Sequence, residues 1–280
     1  MGISVLELTL LVWLGAVAAG VVGALTGLGG GIIIVPMLTL LFNVDMRYAI
    51  GAALVSVIGT SSGAAAAYVR EGYSNIRVGT FLEVATTLGA LAGVWLARLA
   101  PTSALAVVFG LFLLYSAAQT LRARRETAGL LVPDPTATRL GMNSTYPVEQ
   151  GRQAYYPQRV WPPWGLMSVA GLLSGLLGIG SGALKVLAMD RIMRLPFKVS
   201  TTTSNFMIGV TAAASAGIYL TGGYIDPALA MPVMLGVLVG AALGSRILVT
   251  ARAASLLVRL AVVMMALAAE MIVHGLAGRI

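Results

Sequence analysis

The sequence predicts an all-α polytopic membrane protein built from two inverted repeats. Three observations lead to this fold class: long apolar stretches, an internal repeat at one fixed offset, and an uneven distribution of arginine and lysine. Of the 280 residues, 58% are hydrophobic and only 10% are charged, whereas a soluble domain carries about a quarter charged residues. Mean hydropathy is +0.92. Apolar stretches of about 18 residues or more need a bilayer around them, so most of this chain is expected to lie in the membrane.

The composition also excludes several kinds of site. The chain has no cysteine, so it has no disulfide and no thiolate metal site. It has one histidine, His274, whereas a metal or redox centre would need more ligands. We therefore expect no metal and no cofactor. The net charge of +8 comes mainly from residues between the apolar stretches, which points to membrane topology and not to nucleic acid as a partner.

The apolar stretches fall into two groups separated by a polar, basic segment. That segment contains "RARRE", "PDPTATR" and "YYPQR" and is typical of a linker. The sequence therefore predicts a first membrane repeat at 1–121, a cytoplasmic linker at 122–160 and a second membrane repeat at 161–280. The apolar stretches themselves are 4–42, 48–69, 78–97 and 102–121, then 161–195, 199–220, 227–249 and 254–275.

The two groups are copies of one another. A shift of 151 residues superimposes nine glycines and tyrosines without a gap, and an internal repeat of this size is typical of transporters. The matched pairs are Gly20 and Gly171, Gly27 and Gly178, Gly29 and Gly180, Gly31 and Gly182, Tyr68 and Tyr219, Gly72 and Gly223, Tyr73 and Tyr224, Gly89 and Gly240, and Gly93 and Gly244.

The first stretch of each half allows two topologies. Segments 4–42 and 161–195 are too long for one span, because about 20 helical residues already cross the hydrocarbon core. Each is interrupted by a glycine cluster, "GLGGG" or "GIGSG". If each segment crosses once, the chain has eight spans and the halves are parallel. If each is a re-entrant hairpin followed by three transmembrane helices, every half crosses an odd number of times and the halves are inverted.

Basic residues favour the hairpin topology. The eight-span model places nine arginines on one face and seven arginines and lysines on the other, whereas the hairpin model places thirteen on the linker face and three opposite. Cytoplasmic loops carry the excess of arginine and lysine. We therefore expect a multi-pass plasma-membrane protein with a cytoplasmic linker and both termini outside. The three opposite residues are Arg47, Arg98 and Arg279.

The glycine clusters are the expected hairpin tips. A tip within the membrane must be buried in protein or line a wet cavity, and glycine allows the sharp reversal. The helices after the tips would aim their N–H groups at one midplane site, which suits an anion. The alternative is close helix packing, which we favour for Gly59/Gly63, Gly89/Gly93 and Gly236/Gly240/Gly244. The candidate tip residues are Gly27, Gly29, Gly30, Gly31, Gly178, Gly180, Ser181 and Gly182.

The segments "GALTGLGGGIIIVPML", "GLLSGLLGIGSGAL" and "LPFKVSTTTSN" together resemble the sulfite exporter TauE/SafE family. The resemblance covers nearly the whole chain except the linker. It implies a permease for sulfur-containing anions such as sulfite and organosulfonates, whose glycine-rich turns correspond to Gly27–Gly31 and Gly178–Gly182. Two positions depart from the pattern: Ser181 replaces the middle glycine of the second turn, and Leu187 stands where Pro36 would have its repeat partner.

Lys185 is the main charged candidate for an anion site. It follows Gly182 by three residues, and an intramembrane lysine is costly and usually functional. The alternatives are an ion pair with Asp190 or a lysine whose ammonium reaches the interface. Downstream, "STTTSN" replaces the apolar "AIGAAL" of the first half. Its hydroxyls and amide could coordinate sulfonate oxygens, with helix capping as the alternative for Ser200 and Thr201. The residues chosen as anion ligands are Thr202, Thr203, Ser204 and Asn205.

Glu83 is the candidate for coupling to protons. It lies on an otherwise apolar segment, and its repeat partner is Met234. It could bind a coupling proton or pair with an arginine, and the sequence does not separate these roles. Glu270 and His274 lie one turn apart near the outer end of the last helix and are expected to be interfacial.

These residues predict a secondary transporter of small sulfur-containing anions and not an enzyme. Its partners would be the anion and the lipid bilayer, while the oligomeric state is not predicted. One alternative is a passive anion channel of the same fold. A remote alternative is an intramembrane serine hydrolase using Ser181 and His274, which is disfavoured because Ile179 breaks the glycine-x-serine-glycine pattern.

Overall fold

The first half of the chain forms a broken helical pair and three long helices. The structure, a computed structural model, describes residues 5–26, 30–121, 132–148, 151–250 and 253–278. Asn75 caps one of the long helices by accepting a hydrogen bond from the Val78 N–H at 3.1 Å. The elements are α1 (Val5–Thr26), α2 (Gly31–Pro36) with a π-helical extension (Met37–Leu41), α3 (Met46–Arg70), α4 (Ile76–Leu99) and α5 (Thr102–Leu121).

The linker contains ordered structure that the sequence did not predict. A short helix, α6 (Pro135–Arg139), is capped by the Asp134 carboxylate, and an antiparallel hairpin joins β1 (Ser144–Val148) to β2 (Gly151–Tyr155). The Asn75 side chain donates to the Met142 carbonyl at 2.8 Å and to the Tyr155 hydroxyl at 2.9 Å. The linker is therefore docked on the turn between α3 and α4, and the expected all-α fold is corrected by one hairpin.

The second half repeats the first, element by element. Adding 151 to the bounds of α2, its π-helical extension, α3 and α4 reproduces the bounds of their counterparts. The π-helical segment recurs although Pro36 has no counterpart, so proline is not its cause. The elements are α7 (Trp161–Leu177), α8 (Gly182–Leu187) with a π-helical extension (Ala188–Ile192), α9 (Phe197–Thr221), α10 (Pro227–Thr250) and α11 (Ala253–Leu276).

The helices agree with the predicted apolar stretches to within two residues for the spans after each hairpin. Within the described ranges, three helical segments are long and apolar enough to cross a membrane: Leu6–Gly23, Ile76–Leu99 and Thr102–Leu121. Large apolar side chains on these helices are exposed, as Trp95 (64%) and Leu111 (55%) illustrate. A surface of this kind needs a lipid environment.

The chain folds back after α1. A Cβ added to Gly15 would collide with the Met37 side chain, although 22 residues separate the two positions. A continuous helix of that length would hold them roughly 33 Å apart. The short helix therefore runs back along α1 and does not continue it.

Equivalent long helices of the two halves pack antiparallel. At one end of α3, the Arg47 guanidinium lies 5.7 Å from the Tyr224 ring centroid. At the other end, the Lys198 ammonium lies 5.9 Å from the Tyr73 ring centroid, and these two pairs are related by the same offset of 151. The start of α3 thus meets the end of α9, and the end of α3 meets the start of α9. Helices α5 and α11 pair in the same sense, with Gly110 against Ile272 and Gly275 against Ser103.

Glycines allow the closest helix crossings. Gly171 of α7 lies against the Thr86 carbonyl of α4, and its repeat counterpart Gly20 of α1 lies against the Val237 carbonyl of α10. A Cβ at either position would overlap backbone atoms of the facing helix. Small residues at helix interfaces permit such approach in membranes. The packing interpretation is confirmed at four of its positions, which are Gly89, Gly93, Gly236 and Gly240.

Candidate functional site

The second glycine cluster forms a tight reversal between α7 and α8. Gly178 and Gly180 have φ values of +69° and +70°, and Ser181 has φ +46°. A residue with a side chain rarely adopts this region, so the serine is held there by its surroundings. Its hydroxyl is buried and has no hydrogen-bond partner within the described residues. The tip therefore presents one unused polar group.

The first cluster is described only in part. Gly27 and Gly29 lie outside the described residues, while Gly30 and Gly31 are buried. A Cβ on Gly31 would lie 3.1 Å from the Gly178 carbonyl oxygen, so this part of the first tip lies against the second tip, as predicted. Gly30 has φ −64° and ψ −22°, which is ordinary helical geometry. Gly30 therefore does not make the sharp reversal expected of a tip glycine.

Lys185 lies on α8, directly after the second tip, and its side chain is fully buried. Its Nζ donates to Thr211 Oγ1 of α9 at 2.6 Å, and Thr211 Oγ1 is 2.5 Å from Glu83 Oε1 of α4. The ammonium is 3.9 Å from Glu83 Oε2. Sequence reasoning selected both charged residues but paired neither correctly, because it considered Asp190 for the lysine and an arginine for the glutamate.

The ion pair is loosely held. An ammonium has three N–H donors, and within the described residues Lys185 uses one of them. Glu83 Oε2 accepts no hydrogen bond from a described residue, while Oε1 is also 3.3 Å from the Thr87 hydroxyl. Buried groups with unused capacity are costly. Two lysine donors and one carboxylate oxygen thus remain available to a further group.

Thr211 is the site residue that sequence reasoning missed. It lies seven residues after Ser204 on α9, so both fall on one helix face. Extending the polar "STTTSN" segment by this period would have found it. The same face carries Ser200, Ser204, Thr211 and Ser215, all of them buried. Their counterparts in the first half are Ala49, Ala53, Thr60 and Ala64, so three of the four hydroxyls are found only in the second half.

The other polar candidates have mixed roles. Thr203 Oγ1 accepts a hydrogen bond from the Asn75 N–H at 3.0 Å, which joins the start of α4 to α9. The Ser204 hydroxyl lies 3.5 Å from the Gly182 carbonyl at the second tip. Thr202 bonds to the carbonyl of Lys198 in its own helix, and Asn205 is half-buried.

Helix capping does not explain the polar segment. Helix α9 begins at Phe197 after Pro196, so "STTTSN" starts beyond its N-cap position. The Ser200 hydroxyl is buried and unpartnered within the described residues, and Thr201 bonds to the Phe197 carbonyl one turn before it. The capping alternative for these two residues is therefore wrong.

A lateral groove between α4 and α9 reaches Glu83, the acidic member of the ion pair. Its cavity has a volume of about 360 Å³, and Thr80, Glu83, Thr87, Phe206 and Val210 contribute to its lining. Lys185 does not line it. The carboxylate therefore borders this groove, whereas the ammonium does not.

The serine hydrolase alternative lacks its geometry. The Ser181 hydroxyl has no hydrogen-bond partner within the described residues, so no base is placed to activate it. Glu270 is exposed and His274 is half-buried near the end of α11, in agreement with an interfacial position.

Comparison with known proteins places these features in a family. The model of the family described as "Sulfite exporter TauE/SafE" matches residues 12–271, which is nearly the whole chain and includes both tips and the ion pair. The chain belongs to the TauE/SafE family. It is a membrane-embedded transporter with the repeated helical architecture described above.

Two curated relatives of this TauE/SafE protein come from Bacillus subtilis (strain 168). One, named "Probable membrane transporter protein YunE", is 27% identical over 279 residues, which is 97% of this chain and 99% of the relative. The other, named "Probable membrane transporter protein YdhB", is 27% identical over 228 residues, which is 81% of this chain and 85% of the relative. No solved structure matches the chain.

Gly180 and Gly30 are expected to differ in their tolerance of alanine. Gly180→Ala places a side chain at φ +70° with its Cβ 2.7 Å from Ile208 Cγ2, and a left-handed backbone alone costs about 1–2 kcal/mol. We expect lower thermal stability and a sharp loss of transport. Gly30→Ala keeps helical geometry and meets only the Val237 side chain at 2.8 Å among other helices. We expect Gly30→Ala to keep the melting temperature of the wild type and a transport rate within about twofold of it, because alanine favours helix. Thermal unfolding in detergent and proteoliposome flux measure the difference, and equal loss in both variants would contradict it.

Proposed function

We propose that this TauE/SafE protein is a secondary transporter of small sulfur-containing anions such as sulfite or organosulfonates. The observation that carries the proposal is the fully buried ammonium of Lys185 beside the second tip, with one N–H bonded to Thr211. A buried cation in a membrane helix marks a substrate or ion site by default. The family description names sulfite, which has the charge that this ammonium would bind.

The chemistry around Lys185 suits an oxyanion. A sulfonate or sulfite group has three oxygens, which act as acceptors, and three available groups nearby can donate hydrogen bonds. These are the two unused N–H groups of Lys185 and the unpartnered hydroxyl of Ser181, which precedes Lys185 by one helical turn. Charge-assisted hydrogen bonds are the strong ones. In this proposal Gly31, Gly178, Gly180 and Gly182 allow the backbone to approach the anion, and Ser204 and Asn205 complete the cage.

We further propose that the halves are inverted in the membrane and that the anion is exchanged by alternating access. Two observations support this arrangement: the return of the short helix along α1, and the antiparallel packing of α3 on α9. Two copies of one helix that run in opposite directions belong to halves of opposite orientation, as in other transporters built from inverted repeats. Rocking of one half against the other would open the Lys185 site to each face in turn.

The inverted arrangement predicts opposite accessibility of the linker and of the end of the chain. Val132 is 68% exposed in the linker, and Ala277 is exposed after α11. Because the protein has no cysteine, Val132→Cys and Ala277→Cys need no altered background. An impermeant maleimide added to intact cells should label Ala277→Cys, and Val132→Cys should label only after permeabilisation. Labelling of both from the same side would show that the halves are parallel.

Flux into proteoliposomes tests the proposed function. Purified protein should take up labelled sulfite or methanesulfonate with saturable kinetics, and uptake should be faster when the lumen already holds the unlabelled anion. Stimulation by internal substrate indicates a carrier, because a channel has no loaded state that must return. Linear, unsaturable uptake would instead favour the passive channel of the same fold, and no uptake of either anion would reject the proposed substrates.

A further inference from the structure

The charges at the site restrict what can bind together. In the structure one carboxylate, Glu83, faces one ammonium, Lys185, so the empty site has a net charge of zero. An anion that binds Lys185 alone would leave the site with a charge of minus one. Uncompensated charge in a membrane interior is costly. A loaded site that is also neutral requires one positive charge to enter with each monovalent anion.

We propose that Glu83 takes up one proton for each monovalent anion that binds Lys185, so that the transporter is an electroneutral proton–anion symporter. This rests on the proposed function, since it assumes an anion at Lys185. The proton comes from water, and an O–H bond forms at Glu83 Oε2, which accepts no hydrogen bond from a described residue. When the anion leaves on the other side, this bond breaks and the proton returns to water there.

The geometry lets the two partners separate without losing their support. Protonation of Oε2 removes the attraction across the 3.9 Å gap to the Lys185 ammonium. The Thr211 and Thr87 hydroxyls remain beside Oε1, and Lys185 can keep its 2.6 Å hydrogen bond to Thr211. Two ammonium N–H groups are then free of the carboxylate's charge and face the anion alone.

Few other titratable groups lie on the neighbouring elements. Helix α7 contains no titratable residue, and α9 contains Lys198 and Tyr219, about 20 Å and 12 Å along the helix from Thr211. The π-helical segment after α8 contains Asp190 and Arg191, and α4 itself contains Arg77 and Arg98 near its ends. The ion pair that the structure gives Lys185 is with Glu83.

The Glu83 carboxylate and the Lys185 ammonium have different surroundings at the lateral groove. Glu83 is 6% exposed and lines the groove of about 360 Å³, whereas Lys185 is 0% exposed. The Thr80 and Thr87 side chains lie on the same wall. The carboxylate therefore borders the α4–α9 groove, while the ammonium is enclosed.

Accumulation of methanesulfonate in proteoliposomes tests the symport. This anion is monovalent, so a gradient of about one pH unit, acidic outside, should drive about tenfold accumulation at one proton per anion. A potassium diffusion potential of either sign should leave that ratio unchanged, because no net charge crosses. This measurement needs no variant. A ratio that follows the potential, or saturable uptake that ignores the pH gradient, would overturn the symport while leaving the proposed function in place.

Glu83→Gln tests the residue. Glutamine cannot take up a proton, so anion binding at Lys185 would no longer be coupled to proton uptake. The empty site would carry the uncompensated Lys185, so pH-driven accumulation should fall from about tenfold to about onefold. Glu270→Gln, the same substitution at an exposed position, should keep the wild-type ratio. Accumulation by Glu83→Gln at the wild-type ratio would place the proton elsewhere. If the wild type takes up neither methanesulfonate nor sulfite, the proposed function fails and the symport fails with it.

Discussion

Lys185→Met is expected to weaken anion binding and to reduce transport sharply. The substitution removes the ammonium that is fully buried at the second tip. A charge-assisted hydrogen bond contributes about 1.5–3 kcal/mol, so loss of this contact should weaken binding by about tenfold or more. The structure adds a second effect, because the buried Glu83 carboxylate loses its partner at 3.9 Å. Breaking a buried pair from one side costs about 3–5 kcal/mol. Anion-dependent thermal shift and flux measure binding and transport, and unfolding without anion measures stability.

A double substitution separates these two effects. Lys185→Met with Glu83→Gln leaves no unpaired charge, so it should recover most of the lost thermal stability and none of the anion binding. Ile34 is the buried repeat counterpart of Lys185, and Ile34→Met should leave anion affinity unchanged, since apolar exchanges of similar volume cost less than about 1.5 kcal/mol. Wild-type affinity in the stable double variant would remove Lys185 from the site.

Gly171→Ala is expected to cause the largest loss of stability among glycine substitutions at the helix crossings. Its Cβ would overlap the Thr86 carbonyl oxygen and lie 2.9 Å from the Thr86 Cα. A backbone cannot rotate away as a side chain can, so α4 and α7 must separate. Overpacking costs about 1–3 kcal/mol and occasionally more, and here it acts where small residues permit helix association. We expect poor recovery of folded protein and a lower melting temperature by size-exclusion chromatography and thermal unfolding.

The same helix provides the matched control. Gly165 of α7 has no atom of another element within 4 Å of an added Cβ. Gly165→Ala should therefore be neutral or stabilising by up to about 1 kcal/mol, since alanine is the better helix former. If both alanines destabilise α7 equally, the cost is not steric and the crossing interpretation is wrong. If Gly171→Ala folds normally but fails to transport, the glycine serves motion and not packing.

The helices could be predicted because their signals are local. The segment 102–121 agrees with α5 at both ends, and 227–249 differs from α10 by one residue. A membrane span needs a continuous apolar run, so its length is written in consecutive residues. The linker hairpin lacks such a signal. Its strands are short. One of its contacts joins Tyr155 of β2 to Asn75, which lies 80 residues away along the chain.

The site could be predicted only residue by residue. Lys185 and Glu83 stood out because charge is rare in apolar helices. Their pairing with each other could not be predicted, since they lie on different halves of the chain and the sequence offered nearer partners for each. Thr211 was missed because a hydroxyl within an apolar helix is common, and it becomes informative only when its neighbours across the helix interface are known.

The sequence by itself determined the duplication, the helix lengths, the two glycine clusters and the identity of the charged residues, because each depends on composition or on a fixed spacing along the chain. Only the tertiary structure decided which charges face each other, which glycines allow helices to touch, and which described glycines have a positive φ. Those properties depend on distances between atoms of separate elements. Gly30 and Gly180 show this most simply: both belong to the glycine clusters, yet one has φ −64° and the other +70°, and neither angle follows from the residue type.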